Sequence, residues 1–270
     1  MTLKTWLHSA CPPLYKGLMW LYQQTPIYAT GLKKALEDRK TREAVFLKEL
    51  FGDELKIISG PFQGIQYIDE ASGSVLLPKL LGTYETALQP WIIEIIKEGY
   101  DTLIDVGCAE GYYAVGLARA LPNVKVLAYD LNPKARNLCQ NLAEANRVAD
   151  RIKIRQECSE EEIGRNAQGK TIIICDIEGG EFTLLDPEKI PVLKRCDLIV
   201  EAHDFLNPDI TPELKRRFQP THKIETVTTP AFMEIAKKNI DHLSKEDQEF
   251  ILDEQRAPGQ VWHRFRAISQ

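Results

Sequence analysis

The chain has no CxxC pair and no close Cys/His grouping; its cysteines, Cys11, Cys108, Cys139, Cys158, Cys175 and Cys196, are scattered along 270 residues. That spacing excludes the common zinc motifs and a disulfide framework, and it fits a reducing cytoplasm. A basic surplus is also missing, with 34 Lys and Arg against 39 Asp and Glu and a formal charge of -5. Bulk electrostatics therefore disfavour nucleic acid as a partner, leaving only a local basic patch as a route to it. Long apolar runs are absent too. Met1 to Tyr22 holds Trp6, Leu7, Leu14, Leu18, Met19, Trp20 and Leu21, but His8, Pro12, Pro13 and Lys16 interrupt it. The segment reads as neither a signal peptide nor a membrane span. A helix packed on the main domain is the plainer reading, with docking on a membrane surface or a partner as the alternative.

What is present is ordinary for a globular protein, 44% hydrophobic and 27% charged residues. The length suits one α/β domain with extra segments. Residues 1 to about 55 read as helical, with Leu32, Ala35, Leu36, Val45, Phe46, Leu47 and Leu50 on one apolar face. Lys56 to Asp69 reads as two short strands around Gly60-Pro61, and Thr86 to Lys97 as an apolar helix. Residues 1–99 are thus expected to be an accessory segment and residues 100–270 the main domain.

From Tyr100 onward short apolar runs alternate with amphipathic stretches, the pattern of a sheet covered by helices. Seven strands are predicted, at Thr102 to Val106, Lys125 to Tyr129, Ile152 to Arg155, Thr171 to Cys175, Leu198 to Glu201, Lys223 to Thr226 and Val261 to Ala267. Helices fit at Tyr113 to Ala120, Pro133 to Arg147, Glu181 to Leu185 and Pro212 to Phe218, the second capped by Asn132 with Pro133 at the first helical position. The insertion from Thr228 to Gln260 is predicted to hold a helix starting near Ser244, where Ser-Lys-Glu-Asp resembles a capping box, and is long enough to overhang a site.

An apolar strand ending in Asp105, a turn with Gly107 and Gly111, and then a helix will bring backbone close to a ligand. A nucleoside triphosphate loop would need Gly-Lys-Ser/Thr, whereas Tyr112-Tyr113 follows Gly111. A dinucleotide loop would carry a third glycine, and Glu110 stands where its pyrophosphate would lie. An acid there is unhelpful to a diphosphate but tolerable beside a ligand bearing an ammonium and a sulfonium, which describes S-adenosylmethionine. Asp130, at the end of the next strand, can accept from both ribose hydroxyls. Either feature alone is weak, since an acid after a strand is often only a cap; their order and separation carry the reading.

The stretch Leu103-Ile-Asp-Val-Gly-Cys-Ala-Glu-Gly-Tyr112, with Ala128-Tyr-Asp-Leu-Asn-Pro133 and Asn141-Leu-Ala-Glu-Ala-Asn146, resembles the class I S-adenosylmethionine-dependent methyltransferases. Cys175-Asp-Ile-Glu-Gly-Gly-Glu181 resembles the Asp-x-Glu-Gly-x-Glu motif of FkbM-type members, although Gly107-Cys108-Ala109 stands where many of those read Gly-Ala-Asn. The resemblance covers about Gly82 to Ala267. It implies a Rossmann-like, seven-stranded, mostly parallel sheet with the last strand antiparallel and helices on both faces. It also implies that Glu157, Cys158 and Ser159 lie near the adenine and that Glu85, in Gly82-Thr-Tyr-Glu85, holds the methionine end. The expected cofactor-binding residues are therefore Glu85, Asp105, Gly107, Cys108, Ala109, Glu110, Gly111, Asp130, Leu131, Glu157, Cys158, Ser159 and Asp176.

Methyl transfer is an in-line displacement at an activated carbon, so the protein supplies alignment and, for a hydroxyl acceptor, a base. Asp176, Glu178 and Glu181 follow the fourth strand, and Glu201, His203 and Asp204 the fifth. His203 is the candidate base because an ordinary imidazole accepts a proton near neutral pH, and Asp176 and Glu178 are the other candidate catalytic residues. The plainer reading of His203 is a hydrogen bond to Asp176 or Asp204. A divalent ion on Asp176, Asp204 and His203 is chemically adequate, but the spacing is not diagnostic and no metal is assigned. Glu181 near a helix start, Cys175 inside a strand and Cys108 in the loop each have structural explanations.

The leading expectation is O-methylation of a small-molecule or glycan hydroxyl. An RNA or protein methyltransferase is the alternative, weakened because Asp176-Ile-Glu-Gly lacks the Asn/Asp-Pro-Pro-aromatic segment common for amino targets. A non-catalytic S-adenosylmethionine-binding module is the third reading. Oligomeric state is not legible.

Overall fold

The computed structural model describes residues 26–228, 239–256 and 260–268. The expected helix within Met1 to Tyr22 and most of the Thr228 to Gln260 insertion before Asn239 lie outside the described residues. The chain forms two compact units, 1–53 and 54–270. In the first, α1 (Pro26–Phe51) buries Phe46, but Leu36 and Val45 are exposed, so the expected apolar face is only partly used. Residues 54–99 belong to the same unit as the sheet.

The second unit is built on seven strands, β1 (Thr102–Val106), β2 (Lys125–Tyr129), β3 (Ile152–Arg155), β4 (Thr171–Cys175), β5 (Asp197–Ala202), β6 (His222–Thr228) and β7 (Val261–Ala267), in the order β3-β2-β1-β4-β5-β7-β6. Neighbours pair in parallel from β3 through β5, and β7 runs antiparallel to both β5 and β6. The expected Rossmann-like sheet with a reversed last strand is therefore the one observed. Every residue of β1 and β4 is buried, as central strands covered on both faces require, and this is why β4 reads as an apolar run after Thr171 and β1 as one interrupted by Asp105 near its end.

The helices in this unit are α2 (Leu76–Leu81), α3 (Gln89–Glu98), α4 (Tyr112–Ala120), α5 (Pro133–Ala145), α6 (Glu160–Asn166), α7 (Glu181–Leu184), α8 (Ile210–Phe218) and α9 (Lys245–Leu252). Asn132 caps α5 by accepting from the Lys134 amide at 2.9 Å, and Ser244 caps α9 by accepting from Asp247, as expected. The two strands expected in Lys56 to Asp69 reduce to a single bridge between Lys56 and Gln66. That stretch is instead tied down by packing. A Cβ on Gly116 of α4 would meet the Phe62 ring at 2.7 Å, so helix and loop are in contact through the missing side chain.

β1 lies between β2 and β4, so the connections after β1 and β4 leave the sheet in different directions. This is the switch point at which open α/β sheets form a crevice beyond their carboxyl ends. No described helix is long and apolar enough to cross a membrane.

Candidate functional site

At that switch point the loop after β1 is anchored by Tyr129, whose carbonyl accepts from the amides of Gly107 at 2.8 Å and Cys108 at 2.9 Å. Gly107 has φ +83°, and a Cβ there would lie 1.7 Å from the Asp176 carbonyl oxygen. Only glycine fits, because the loops after β1 and β4 touch at this residue. Asp130 accepts from the Ala109 amide at 2.9 Å and the Asn132 amide at 2.8 Å, joining the loops after β1 and β2.

Two adjoining cavities open there, sharing Gly107, Asp130, Asp176 and Glu178 as a common wall. The first, about 280 Å³, is lined by five carboxylates, Glu85, Asp105, Asp130, Asp176 and Glu178. The second, about 620 Å³, has the more apolar wall, built in part from Tyr129, Leu131, Cys158, Ile177 and Leu184. Five described non-glycine residues have positive φ, and three of them, Glu85, Ala109 and Glu178, line the first cavity. Each such conformation costs on the order of 1–3 kcal/mol, so the surrounding structure is holding strain at this wall.

Asp105 is buried, and its Oδ2 has no hydrogen-bond partner among the described residues. Burial pushes its carboxyl up to about 8, with the nearby charges of Asp176, Asp130 and Glu85 adding to the effect against a backbone hydrogen bond from Ala114. An orphaned carboxylate oxygen on the wall of an acid-lined cavity is suited to an ammonium. The residues present therefore fit the cationic, amino-acid half of S-adenosylmethionine, and the Gly107 cradle and the second cavity fit its nucleoside half.

Behind the first cavity lies Arg256, between α9 and β7. Its guanidinium bonds Glu85, Glu201 at 2.9 Å and Glu254 at 2.7 Å, and it stacks on Tyr84 with 5.1 Å to the ring centre. Tyr113 also donates to Glu85. Glu201 is buried, and burial, reinforced by the charges of Asp176 and Glu85, pushes its carboxyl up to about 10. It hydrogen-bonds Asp176, whose own carboxyl burial pushes up to about 6.

His203 is buried, with Nδ1 2.9 Å from Glu181 Oε1 and Nε2 3.4 Å from Asp176 and 3.5 Å from Glu178. Burial disfavours the imidazolium, but the Glu181 hydrogen bond and the charges of Glu181, Asp176 and Glu178 outweigh it, so its pKa lies above the ordinary value. Glu181 Oε1 also accepts from the amides of Ile177 at 3.0 Å and Gly179 at 3.3 Å, so this carboxylate folds the loop after β4 onto the histidine.

Of the expected cofactor residues, Glu85, Asp105, Gly107, Cys108, Ala109, Asp130 and Asp176 line the first cavity, and Leu131, Glu157, Cys158 and Ser159 the second. Glu110 and Gly111 line neither. Glu110 is fully buried and turned to Lys79, to the Tyr67 hydroxyl at 2.6 Å and to the Ser72 amide at 3.0 Å, not toward a ligand ammonium. Gly111 is close-packed, with 2.7 Å between its would-be Cβ and Cys139 Sγ. His203 stands one layer behind Asp176 and Glu178, which face the cavities. Asp204 does not join the expected ion-binding trio; it accepts from the Thr211 amide at 2.9 Å and hydroxyl at 2.6 Å. Asp176, Glu201 and His203 do offer ligand atoms within 4.8 Å of one another, with the Arg256 guanidinium already on Glu201. Lys79 and Arg256 carry no signal in the sequence, because neither sits in a motif or on a periodic face.

Residues 82–195 match the family model described as ribosomal protein L11 methyltransferase. A release factor glutamine methyltransferase from Dictyoglomus turgidum is 31% identical over 58 residues, which are 22% of this chain and 21% of that protein. Another, from Chlorobaculum tepidum, is 28% identical over 180 residues, 63% of this chain and 56% of that protein. The chain thus spans about a fifth of the first relative's length and just over half of the second's. Among solved structures, an O-methyltransferase from Bacillus cereus in complex with SAH overlays with a TM-score of 0.44 and 14% identity, covering 65% of this chain and 78% of that one.

Proposed function

We propose that this chain, built on the Rossmann-like fold of the class I methyltransferases, is an S-adenosylmethionine-dependent methyltransferase acting on a hydroxyl of a small molecule or glycan. The observation that carries the cofactor is the pair of adjoining cavities, one acid-lined and one more apolar, meeting at Gly107, Asp130 and Asp176. The finer FkbM-type reading rests on Asp176-Ile-Glu-Gly-Gly-Glu181, in which Glu181 ties the loop amides to His203. A reducing cytoplasm suits the free cysteines among the described residues.

When bound, S-adenosylmethionine supplies a methyl group on a positively charged sulfur. Asp130 would hold the ribose, Asp105 the ammonium, and Leu131 and Cys158 would lie toward the adenine. Asp176 and Glu178 face the acceptor, and the proton of an acceptor hydroxyl passes to the Asp176 carboxylate. His203 acts through these acids, its Nε2 in reach of both, with Glu181 fixing its orientation.

A protein acceptor is the second reading, favoured by the names of the L11 family and the release factor relatives. The missing Asn/Asp-Pro-Pro-aromatic segment weighs against an amino target. Calorimetric titration with S-adenosylmethionine tests the cofactor, and absence of binding to folded protein would sink the enzyme reading. Incubation with methyl-labelled cofactor and a cell extract tests the acceptor. Label in the protein-free fraction is expected, and label confined to precipitated protein would favour the second reading.

A further inference from the structure

We infer that Lys79 is the group that recognises the carboxylate of the bound amino-acid half, an inference that rests on the cofactor reading above. S-adenosylmethionine carries an α-carboxylate besides its ammonium and sulfonium. A cavity walled by five carboxylates repels that group everywhere except beside a cation. Among the described residues on its wall, Lys79 is the only lysine or arginine.

Lys79 is held for this purpose. Its side chain is 2% exposed, and its ammonium donates to Glu110 and, at 2.7 Å, to Ser74 Oγ. An ammonium has three N–H donors, so one is uncommitted among the described residues, on a side chain that lines the cavity. Tyr84 and Tyr112 lie beneath it, with 4.7 and 5.6 Å from Nζ to the ring centres, and their faces favour the charge without consuming a donor. Glu110 fixes both partners, since it also accepts from the Ser72 amide at 3.0 Å and so pins the Ser72-Gly73-Ser74 turn, which lines the same cavity.

Glu110 therefore serves the cofactor at one remove. It neutralises and orients the lysine instead of meeting the ligand's ammonium. Asp105, on the same cavity's lining and with its Oδ2 unpartnered, takes the ammonium, and the two charged groups of the amino acid are read by residues of opposite sign.

The test titrates the unaltered protein, Lys79→Met and the double variant Lys79→Met/Glu110→Gln with S-adenosylmethionine and with its decarboxylated analogue, which keeps the ammonium and sulfonium. The double variant removes the buried acid that the single one would strand, so binding is read on folded protein. Both variants are expected to lose about ten- to hundredfold in affinity for S-adenosylmethionine, the scale of one charge-assisted hydrogen bond, and little for the analogue. Equal losses for both ligands, or no loss for either, would overturn the role of Lys79 while leaving the cofactor reading intact. Failure of the unaltered protein to bind either ligand would overturn both.

Discussion

Replacing Glu181 separates the structural role of the Asp-x-Glu-Gly-x-Glu segment from its chemistry. Its Oε1 accepts from Ile177, Gly179 and His203, while Oε2 is buried without a partner among the described residues. Hydrogen bonds to a charged group are worth roughly 1.5–3 kcal/mol each, and release of the orphaned oxygen offsets part of that loss. A net cost of about 2–3 kcal/mol is therefore expected for Glu181→Ala, or a fall in Tm of very roughly 5–10 °C for a unit of this size. The cost depends on pH in a definite direction. The folded-state pKa of His203 lies above its ordinary value, so the stabilisation from its charged form is complete below about 6.5 and fades as pH rises through the folded value. The deficit of the variant should thus be larger at pH 6 than at pH 8.5 in urea unfolding. Glu181→Gln keeps an acceptor oxygen but removes the charge, and should lower the His203 pKa in an imidazole NMR titration. An equal deficit at both pH values, or an unmoved His203 titration in Glu181→Gln, would refute the reasoning.

Three further outcomes follow from the same geometry. Asp130→Ala should weaken S-adenosylmethionine binding by about 1–3 kcal/mol in calorimetry, because it removes the ribose acceptor and the carboxylate that holds the Ala109 amide; an unchanged dissociation constant means the ribose lies elsewhere. Cofactor binding near pH 7 should release protons, since a cation beside Asp105 favours the ionised form of a carboxyl that burial, reinforced by the neighbouring acids, pushes up to about 8. The binding enthalpy should then vary with the ionisation enthalpy of the buffer, and identical heats in phosphate and Tris would count against an ammonium at Asp105. His263, buried with both ring nitrogens 2.9 Å from Thr211 and Thr226, has its pKa pushed down to about 4 by burial, with Lys215 adding to the shift. The unfolded chain binds that proton near 6.5, so stability should fall by up to about 3 kcal/mol between pH 6.5 and 4, and His263→Gln should flatten that slope.

β1, β2 and β4 were legible as short, mostly apolar runs, and β3 and β7 as short segments in which apolar residues are mixed with basic ones; the expected bounds of all five match the observed ones. β5 and β6 extend one or two residues beyond the expected bounds at their ends, because backbone pairing recruits flanking residues, Asp197 against Ile172 of β4, and Ala202 and His222 against Val261 and Ala267 of β7. α2 carries Pro78 and α6 opens on Glu160-Glu161-Glu162, so neither reads as a helix by apolar period; tertiary packing and the Ser159 cap decide them. In the site, the positions next to strand ends were readable from the order strand, glycine loop, helix, strand and acid, since a glycine or an acid there alone often serves only a turn or a cap. The partners that set their charge were not. Lys79 reaches Glu110 across 31 residues and Arg256 reaches Glu85 across 171, and local pattern contains no trace of either meeting.

Those distant partners explain why so acidic a site is compatible with a folded protein. Glu85, Glu201 and Glu254 would repel one another if left together in a buried space, and the Arg256 guanidinium answers them with one bond to each. One positive charge against three carboxylates still leaves an excess, and burial, reinforced by the charges of Asp176 and Glu85, pushes the Glu201 carboxyl up to about 10, so that it retains its proton beside Asp176. A protonated Glu201 in turn donates to Asp176 and favours the ionised form of that neighbour, the form able to take a proton from an acceptor. Asp176 also continues the sheet, its amide bonded to the Val106 carbonyl at 2.9 Å, and its own carbonyl presses on Gly107. A single residue thereby belongs to the β1–β4 junction and to both cavities, and in the proposed reaction it is also the proton-accepting group. Changes in the charge of the Arg256 cluster should consequently be felt first at Asp176.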